Sequence, residues 1–371
     1  MWTGDNAYGD GTQQQYQTEV FNIYIAPFRK IVAWPCPGNH DYGSVDLNNN
    51  EPYFDIFTLP TNGEAGGMPS GTEGYYSDDY GNAHFISLNS EYLAWTLTDN
   101  TAMTNWLEDD LENNDKDWVI VYWHQPPYTR GSHDSDEFFG RMGMMRANIN
   151  PILEEYGVDL VLCGHSNCYE RSYMIKGHFG NANTFESASM IIDSVQPFIK
   201  NTDGNNPNEG TVFAVVGCSG QLSASGNLDH PAMQFCTYAY HGSMVIDIDS
   251  LTLTAKFLTA HDGIKDSFTI QKMSLQDTLT AIHSLNIINE LLVMPNPVKD
   301  AFRIQFNLNC ALDATVSLLT IKGEQIAQLY KGEIENGESK EFSIENYPAG
   351  LYFLRVCSGN FSSTVKVVLD K

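Results

Sequence analysis

The chain has 371 residues, 42% of them hydrophobic and 12% aromatic, which is enough for a real core and excludes global disorder. With 20 Lys+Arg against 46 Asp+Glu, its formal charge of −26 excludes nucleic acid or an anionic membrane as a partner of the whole surface. A local cationic or metallic site can still bind phosphate, and no apolar run approaches the ~18 residues of a membrane helix.

The length exceeds the roughly 100–200 residues of one domain, so a large domain and a smaller one are expected. Over residues 1–273, strand-like and helix-like segments alternate, which predicts an α/β domain. Ile31-Val32-Ala33-Trp34 is a short apolar run stopped by Pro35 and Pro37. Ala83 to Leu88 reads as a strand. Thr101 to Asn113 carries Met103, Trp106, Leu107 and Leu111 at helical spacing, with acids on the other face. Trp118 to Trp123 is a buried strand ending at His124. Phe138 to Tyr156 reads as helix, broken near Asn150-Pro151. Val158 to Leu162 is the next buried strand and ends at Gly164-His165. Thr211 to Val216, Ser243 to Ile248, Leu251 to Leu258 and Ser267 to Ile270 complete the predicted strands.

Residues 274–291 read as a linker or short helix. Residues 292–371 change texture. Phe302-Arg303-Ile304-Gln305-Phe306 and Tyr352-Phe353-Leu354-Arg355-Val356 alternate, and Gly323, Gly332, Gly337, Gly350 and Gly359 punctuate at hairpin intervals. A small all-β sandwich is expected there. The seven cysteines (Cys36, Cys163, Cys168, Cys218, Cys236, Cys310, Cys357) fit no zinc framework, so buried thiols are expected and disulfide bonding stays open.

Four short segments concentrate metal-type ligands: Gly4-Asp5-Asn6-Ala7-Tyr8, Gly38-Asn39-His40-Asp41, Val121-Tyr122-Trp123-His124 and Gly164-His165-Ser166-Asn167. The last three follow predicted strands or their turns. Carboxyl ends of strands form one rim of an open α/β sheet, so these side chains can converge. An Asp, an Asn and two His offer oxygen and imidazole donors, which suit Zn, Mn or Fe better than a thiolate site does. Each segment alone is weak, since a strand-end histidine is more often structural and Gly-Asn-His-Asp is most often a turn. The four together, in this order, carry the signal.

On those segments, and on Trp34 to Asp41, His124 to Asp136 and Tyr156 to His165 with Tyr169-Glu170-Arg171-Ser172, residues 1 to about 272 resemble the calcineurin-like metallophosphoesterases of the purple acid phosphatase group. The resemblance implies a four-layer α/β/β/α sandwich with two metal ions (Fe, Zn or Mn). It implies that Asp5 bridges the ions, that Asn39, His124 and His165 complete the second site, and that Tyr8 belongs to the first. His40 resembles a phosphate-contacting histidine, with Asp41 as its orienting partner. His133, nine positions after His124, stands where the group carries a substrate-side histidine; it could protonate the leaving group or hold a phosphate oxygen, or be a solvated loop residue. The implied activity is hydrolysis of small phosphomonoesters by metal-activated hydroxide.

Two departures weaken the first site. The family's Asp-x-Gly motif should precede Asp5 and is not found there; Asp41-Tyr42-Gly43 and Asp79-Tyr80-Gly81 have the letters in the wrong place. Asn167 stands where the family has histidine, and an amide oxygen is a poorer donor than imidazole. Loss of one metal leaves a second reading open, a non-catalytic surface protein that binds metal or ligand. A phosphodiesterase or nucleotidase is a third, with loops such as Asp46 to Ser70 and Asn181 to Asn208 choosing the substrate.

Pro295-Asn296-Pro297, Gly350 to Val356 and Lys366-Val367-Val368-Leu369 resemble the C-terminal sorting domain of type IX secretion cargo. That implies the type IX machinery as a partner and a secreted or cell-surface location reached through the periplasm. Such cargo needs a signal peptide, which this sequence does not show. A chain lacking its true N-terminus would explain both that and the missing Asp-x-Gly.

Overall fold

The structure, a computed structural model, describes residues 1–43, 51–95, 101–136, 140–204, 206–223, 225–274, 288–308, 312–335, 337–358 and 361–370. The chain divides into two compact units, Met1–Ser274 and Leu275–Lys371.

In the first unit, β1 (Trp2–Thr3) pairs in parallel with β2 (Pro35–Cys36). The large sheet is built from β3 (Tyr76–Tyr80), β4 (Ala83–Ser87), β5 (Trp118–Trp123), β6 (Leu160–Cys163), β7 (Tyr169–Ile175) and β8 (Ile191–Asp193), followed later in the chain by β10 (Thr211–Val216) and β11 (Met233–Thr237). Its order is β11-β7-β10-β6-β5-β4-β3, with β8 against β7. Strands β4, β5, β6 and β10 run parallel at its centre. Such strands are covered on both faces, which is why β5 is apolar without alternation. A second sheet, β12 (Gly242–Asp249), β13 (Thr252–Thr259), β14 (Gly263–Met273) and β9 (Phe198–Asn201), has the order β12-β13-β14-β9.

Helices Thr101–Glu112, Arg141–Asn148 and Asn150–Glu155 place Met103, Leu107, Met145, Ile149 and Leu153 in one core with Val119, Val121, Trp123 and Val161 of the large sheet. The opposite face, with Ile120, Tyr122, Leu160, Leu162 and Val212, packs against Leu253, Ala255, Phe268 and Ile270 of the second sheet. Outward positions Ser243, Val245 and Asp247 on β12 are exposed. The helix break comes at Ile149, with Pro151 in the first turn of the second helix, where its missing N–H costs nothing. The Ile31–Trp34 run forms no strand; Ile31 and Val32 are exposed and pairing starts at Pro35.

Two buried ion clusters brace this unit. Asp159, at the entry to β6, meets Lys200 of β9 at 2.8 Å and Lys272 of β14 at 2.9 Å. Burial pushes the Lys200 ammonium down to about 8. At the sheet edge, buried His84 has Nδ1 2.7 Å from Asp79 and Nε2 2.8 Å from Asp110. Burial opposes its charged form, but the two carboxylates raise its pKa above the usual histidine value.

In the second unit, β15 (Ile288–Met294), β16 (Ala301–Leu308) and β19 (Ser339–Ser343) form one sheet. The other has β17 (Leu312–Leu319), β18 (Gln325–Ile334), β20 (Gly350–Ser358) and β21 (Phe361–Leu369), in the order β18-β17-β20-β21. Phe302, Ile304, Phe306, Val316, Leu318, Leu354 and Val356 fill the core, so the alternation seen in sequence points inward as expected. Asn296 of the Pro-Asn-Pro string donates to the Lys366 carbonyl (2.8 Å) and accepts from the Val368 N–H (2.9 Å). The expected linker at 274–291 lies mostly outside the described residues, and strand β15 already begins at Ile288.

Candidate metal centre

Each expected ligand stands just past the carboxyl end of a parallel strand: Asp5 after β1, Asn39 after β2, His124 after β5 and His165 after β6. Asp5 and His165 adopt left-handed backbone, with φ of 52° and 61°, which turns their side chains back toward the rim. Glycine is required beside them. A Cβ on Gly38 would lie 2.3 Å from the Asp5 nitrogen, and one on Gly4 (φ 83°) 2.5 Å from His124 Nδ1.

The donors converge on one atom. His124 Nε2 lies 3.1 Å from Asp5 Oδ2, 3.2 Å from Asn39 Oδ1 and 3.1 Å from His165 Nδ1. Its other nitrogen, Nδ1, is 2.8 Å from the Thr3 carbonyl oxygen, which can only accept, so Nδ1 carries the proton. Neutral His124 therefore points the Nε2 lone pair at a carboxylate and an amide oxygen. A positive charge among these donors satisfies that arrangement. Accordingly, although burial opposes its charged form, the Asp5 carboxylate raises the His124 pKa, with the Thr3 bond contributing. His165, buried beside His124 and His133, is pushed down to about 2. Burial would raise Asp5, but His124 and the His40 N–H hold it well below the usual carboxylate range. The donor set Asp5, Asn39, His124 and His165 thus fits one cation of the Zn, Mn or Fe type. The Nδ1–H to Thr3 bond is the backing interaction that such a ligand histidine needs.

The residues expected at the other metal position behave differently. Tyr8 is partly exposed and donates its hydroxyl to Asp5 Oδ2 at 3.1 Å; burial, then the Asp5 charge, raise the phenol above its usual range. Asn167 is tied through its backbone, its N–H donating to Ser132 Oγ (2.9 Å) and its carbonyl accepting from the Ser223 N–H (3.0 Å).

The His40 ring packs against Tyr8 at a tilt, ring centres 4.4 Å apart, and its Nδ1 is 2.6 Å from the Gly9 carbonyl. The expectation that Asp41 orients His40 is corrected. Asp41 is buried beneath the loop and accepts from the Asn6 and Gly38 N–H groups and the Tyr16 hydroxyl. Burial raises its pKa to about 6. It fixes the two ligand loops to each other and has no bond to the His40 ring. His133 does reach the site: its ring stacks on His165 at 3.9 Å.

Sequence reasoning missed the residues that hold these loops. Tyr16 and Asn6 anchor Asp41, and Glu170 is buried and accepts from Thr129 Oγ1 and the Arg130 N–H. Arg171 pairs with Asp266. Cys163 and Cys168 are buried free thiols, and all six cysteines among the described residues are free.

Residues 1–169 match the calcineurin-like phosphoesterase family, and residues 292–370 match the secretion system C-terminal sorting domain. The chain carries a calcineurin-like metallophosphoesterase domain followed by a sorting domain. An uncharacterized protein of Mycobacterium tuberculosis is 26% identical to this chain over 246 residues, covering 62% of this chain and 43% of that protein. Purple acid phosphatase 13 of Arabidopsis thaliana is 30% identical over 176 residues, covering 45% of this chain and 30% of its own. Among solved structures, the purple acid phosphatase from yellow lupin (Lupinus luteus) seeds aligns over 66% of this chain and 41% of its own, at 21% identity and a TM-score of 0.47. The chain spans less than half the length of these relatives.

Proposed function

We propose that this chain is an exported phosphatase that hydrolyses small phosphate monoesters, with Asp5, Asn39, His124 and His165 as its principal metal site. The convergence of three donor atoms on His124 Nε2 carries this reading. An Fe, Zn or Mn ion held there supplies Lewis-acid polarisation of the phosphoryl group and activation of the attacking water. The protein residues do the rest. Asp5 supplies negative charge, and the Thr3 carbonyl keeps His124 in the ligating tautomer. His40, with Nδ1–H bound to the Gly9 carbonyl, keeps Nε2 for contact with phosphate. Asp41 holds the Asp5 and His40 loops at fixed separation.

A second reading, metal binding without turnover, is favoured by Tyr8 and Asn167, whose bonds draw neither to a second ion. Metal content per chain, with hydrolysis of an aryl phosphate and a diaryl phosphate by the reloaded protein, separates the readings. Bound ion with monoester turnover supports the phosphatase; bound ion without turnover supports the second reading; preference for the diester supports a phosphodiesterase. The sorting domain supports export by the type IX machinery to the cell surface or beyond. No helix among the described residues is long and apolar enough to cross a membrane.

A further inference from the structure

The two histidines beside the metal centre have opposite hydrogen-bond partners. His40 Nδ1 faces the Gly9 carbonyl oxygen at 2.6 Å, an atom that can only accept. His133 Nδ1 faces the Ser132 hydroxyl at 3.1 Å. That hydroxyl oxygen already accepts from the Asn167 N–H at 2.9 Å, a group that can only donate. That oxygen keeps its own proton to give, and His133 Nδ1 stands in reach as an acceptor.

We propose that Ser132 is a positioning residue that fixes neutral His133 with its proton on Nε2, so that His133 serves as a hydrogen-bond donor to a phosphate oxygen. The proposal rests on reading the site as a phosphate site, and it separates two roles that the sequence leaves open for His133. A neutral imidazole holding its proton on Nε2 donates a hydrogen bond without giving the proton up, so no proton transfer is assigned to it. Ser132 is well placed for the task. Its carbonyl accepts from Ser225 Oγ at 3.5 Å. Three residues earlier, Thr129 Oγ1 is bonded to Ser166 Oγ (2.9 Å) and to buried Glu170, which ties the His133 loop to the His165 loop. The stacking of His133 on His165 at 3.9 Å is then held from both sides.

The test uses the full chain loaded with Zn and labelled with 15N-histidine. Two-bond proton–nitrogen spectra at alkaline pH, with the His133 signals assigned from their loss in His133→Asn, should show Nε2 protonated and Nδ1 bare. Ser132→Ala should give a mixture of tautomers and weaken inorganic phosphate, measured by calorimetry, about 3- to 10-fold. Ser132→Thr, which keeps the hydroxyl, should hold both properties near wild type. A proton on Nδ1 in the wild type overturns the proposal, and so does a Ser132→Ala protein with unchanged tautomer and phosphate affinity. The wild-type spectrum decides even if Ser132→Ala does not fold. If the tautomer is as stated but phosphate does not bind the wild type, the phosphate role of His133 is overturned together with the phosphatase reading, while the Ser132 positioning stands.

Discussion

The surroundings of His124 and those of Tyr8 and Asn167 lie at the same rim and share Asp5, yet they are built on different principles. Around His124, acceptor atoms crowd together with too few protons between them. At Tyr8, the hydroxyl already gives its proton to Asp5; at Asn167, both backbone groups are taken. The first arrangement calls for added positive charge, whereas in the second the Tyr8 hydroxyl and the Asn167 backbone groups already have partners. Residue types alone would make both regions ligand-rich; the count of protons against acceptors tells them apart.

The largest expected effect is on the first region. His124→Ala removes the atom on which the other donors converge. Replacing the outer-shell partners of a metal site costs ~10–100-fold in affinity, so loss of a direct ligand should exceed about 10²-fold. Elemental analysis after dialysis would read this, and a retained ion would break the comparison. Next, Asn167→His restores an imidazole at the second region. It should raise ion content above that of the wild type and increase aryl phosphate turnover on the order of tenfold or more. Unchanged stoichiometry would show that a ligand other than residue 167 limits that region.

Asp41→Asn sharpens the comparison from below, because Asp41 holds both loops. It puts an amide donor against the Tyr16, Asn6 and Gly38 donors, and should destabilise the fold by about 1–3 kcal/mol in chemical denaturation. His84→Gln is a control away from the rim. The folded pKa of His84 is raised, so its stabilisation is complete below the unfolded value of about 6.5 and fades as pH rises through the folded pKa. The gap in melting temperature between wild type and His84→Gln should therefore be widest near about pH 5 and narrow on the alkaline side. Tyr8→Phe should have the smallest effect, within about 3-fold in activity with aryl phosphate, since it deletes one partly exposed hydrogen bond.

How far the sequence could be read follows from chemistry at each strand. β5 and β6 are continuous apolar runs, so they and the histidines at their ends were legible. β7 was not. Its buried residues include Glu170, Arg171 and Ser172, and only the distant partners Thr129 and Asp266 make that burial tolerable. β3 hides for a similar reason, with Asp78 and Asp79 inside Tyr-Ser-Asp-Asp-Tyr. At the site, the ligands were legible because glycine and strand ends mark them. The role of Asp41 was not, because its decisive partner Tyr16 lies 25 residues away with no local signal.

Lys200 and Lys272 both turn inward to share the single carboxylate of Asp159. Two of only 20 cationic side chains are thereby withdrawn from the exterior, one more than the anion that meets them. Acids are buried too, Asp41, Glu91, Asp110 and Glu170 among them, so the outer field keeps the negative sign of the formal −26. A phosphate dianion diffusing toward the rim travels against that field, and dissolved salt shortens its reach to about 8 Å at physiological ionic strength. Encounter with an anionic substrate should accordingly quicken as salt is added, the reverse of the behaviour of a protein that draws phosphates in with a basic surface.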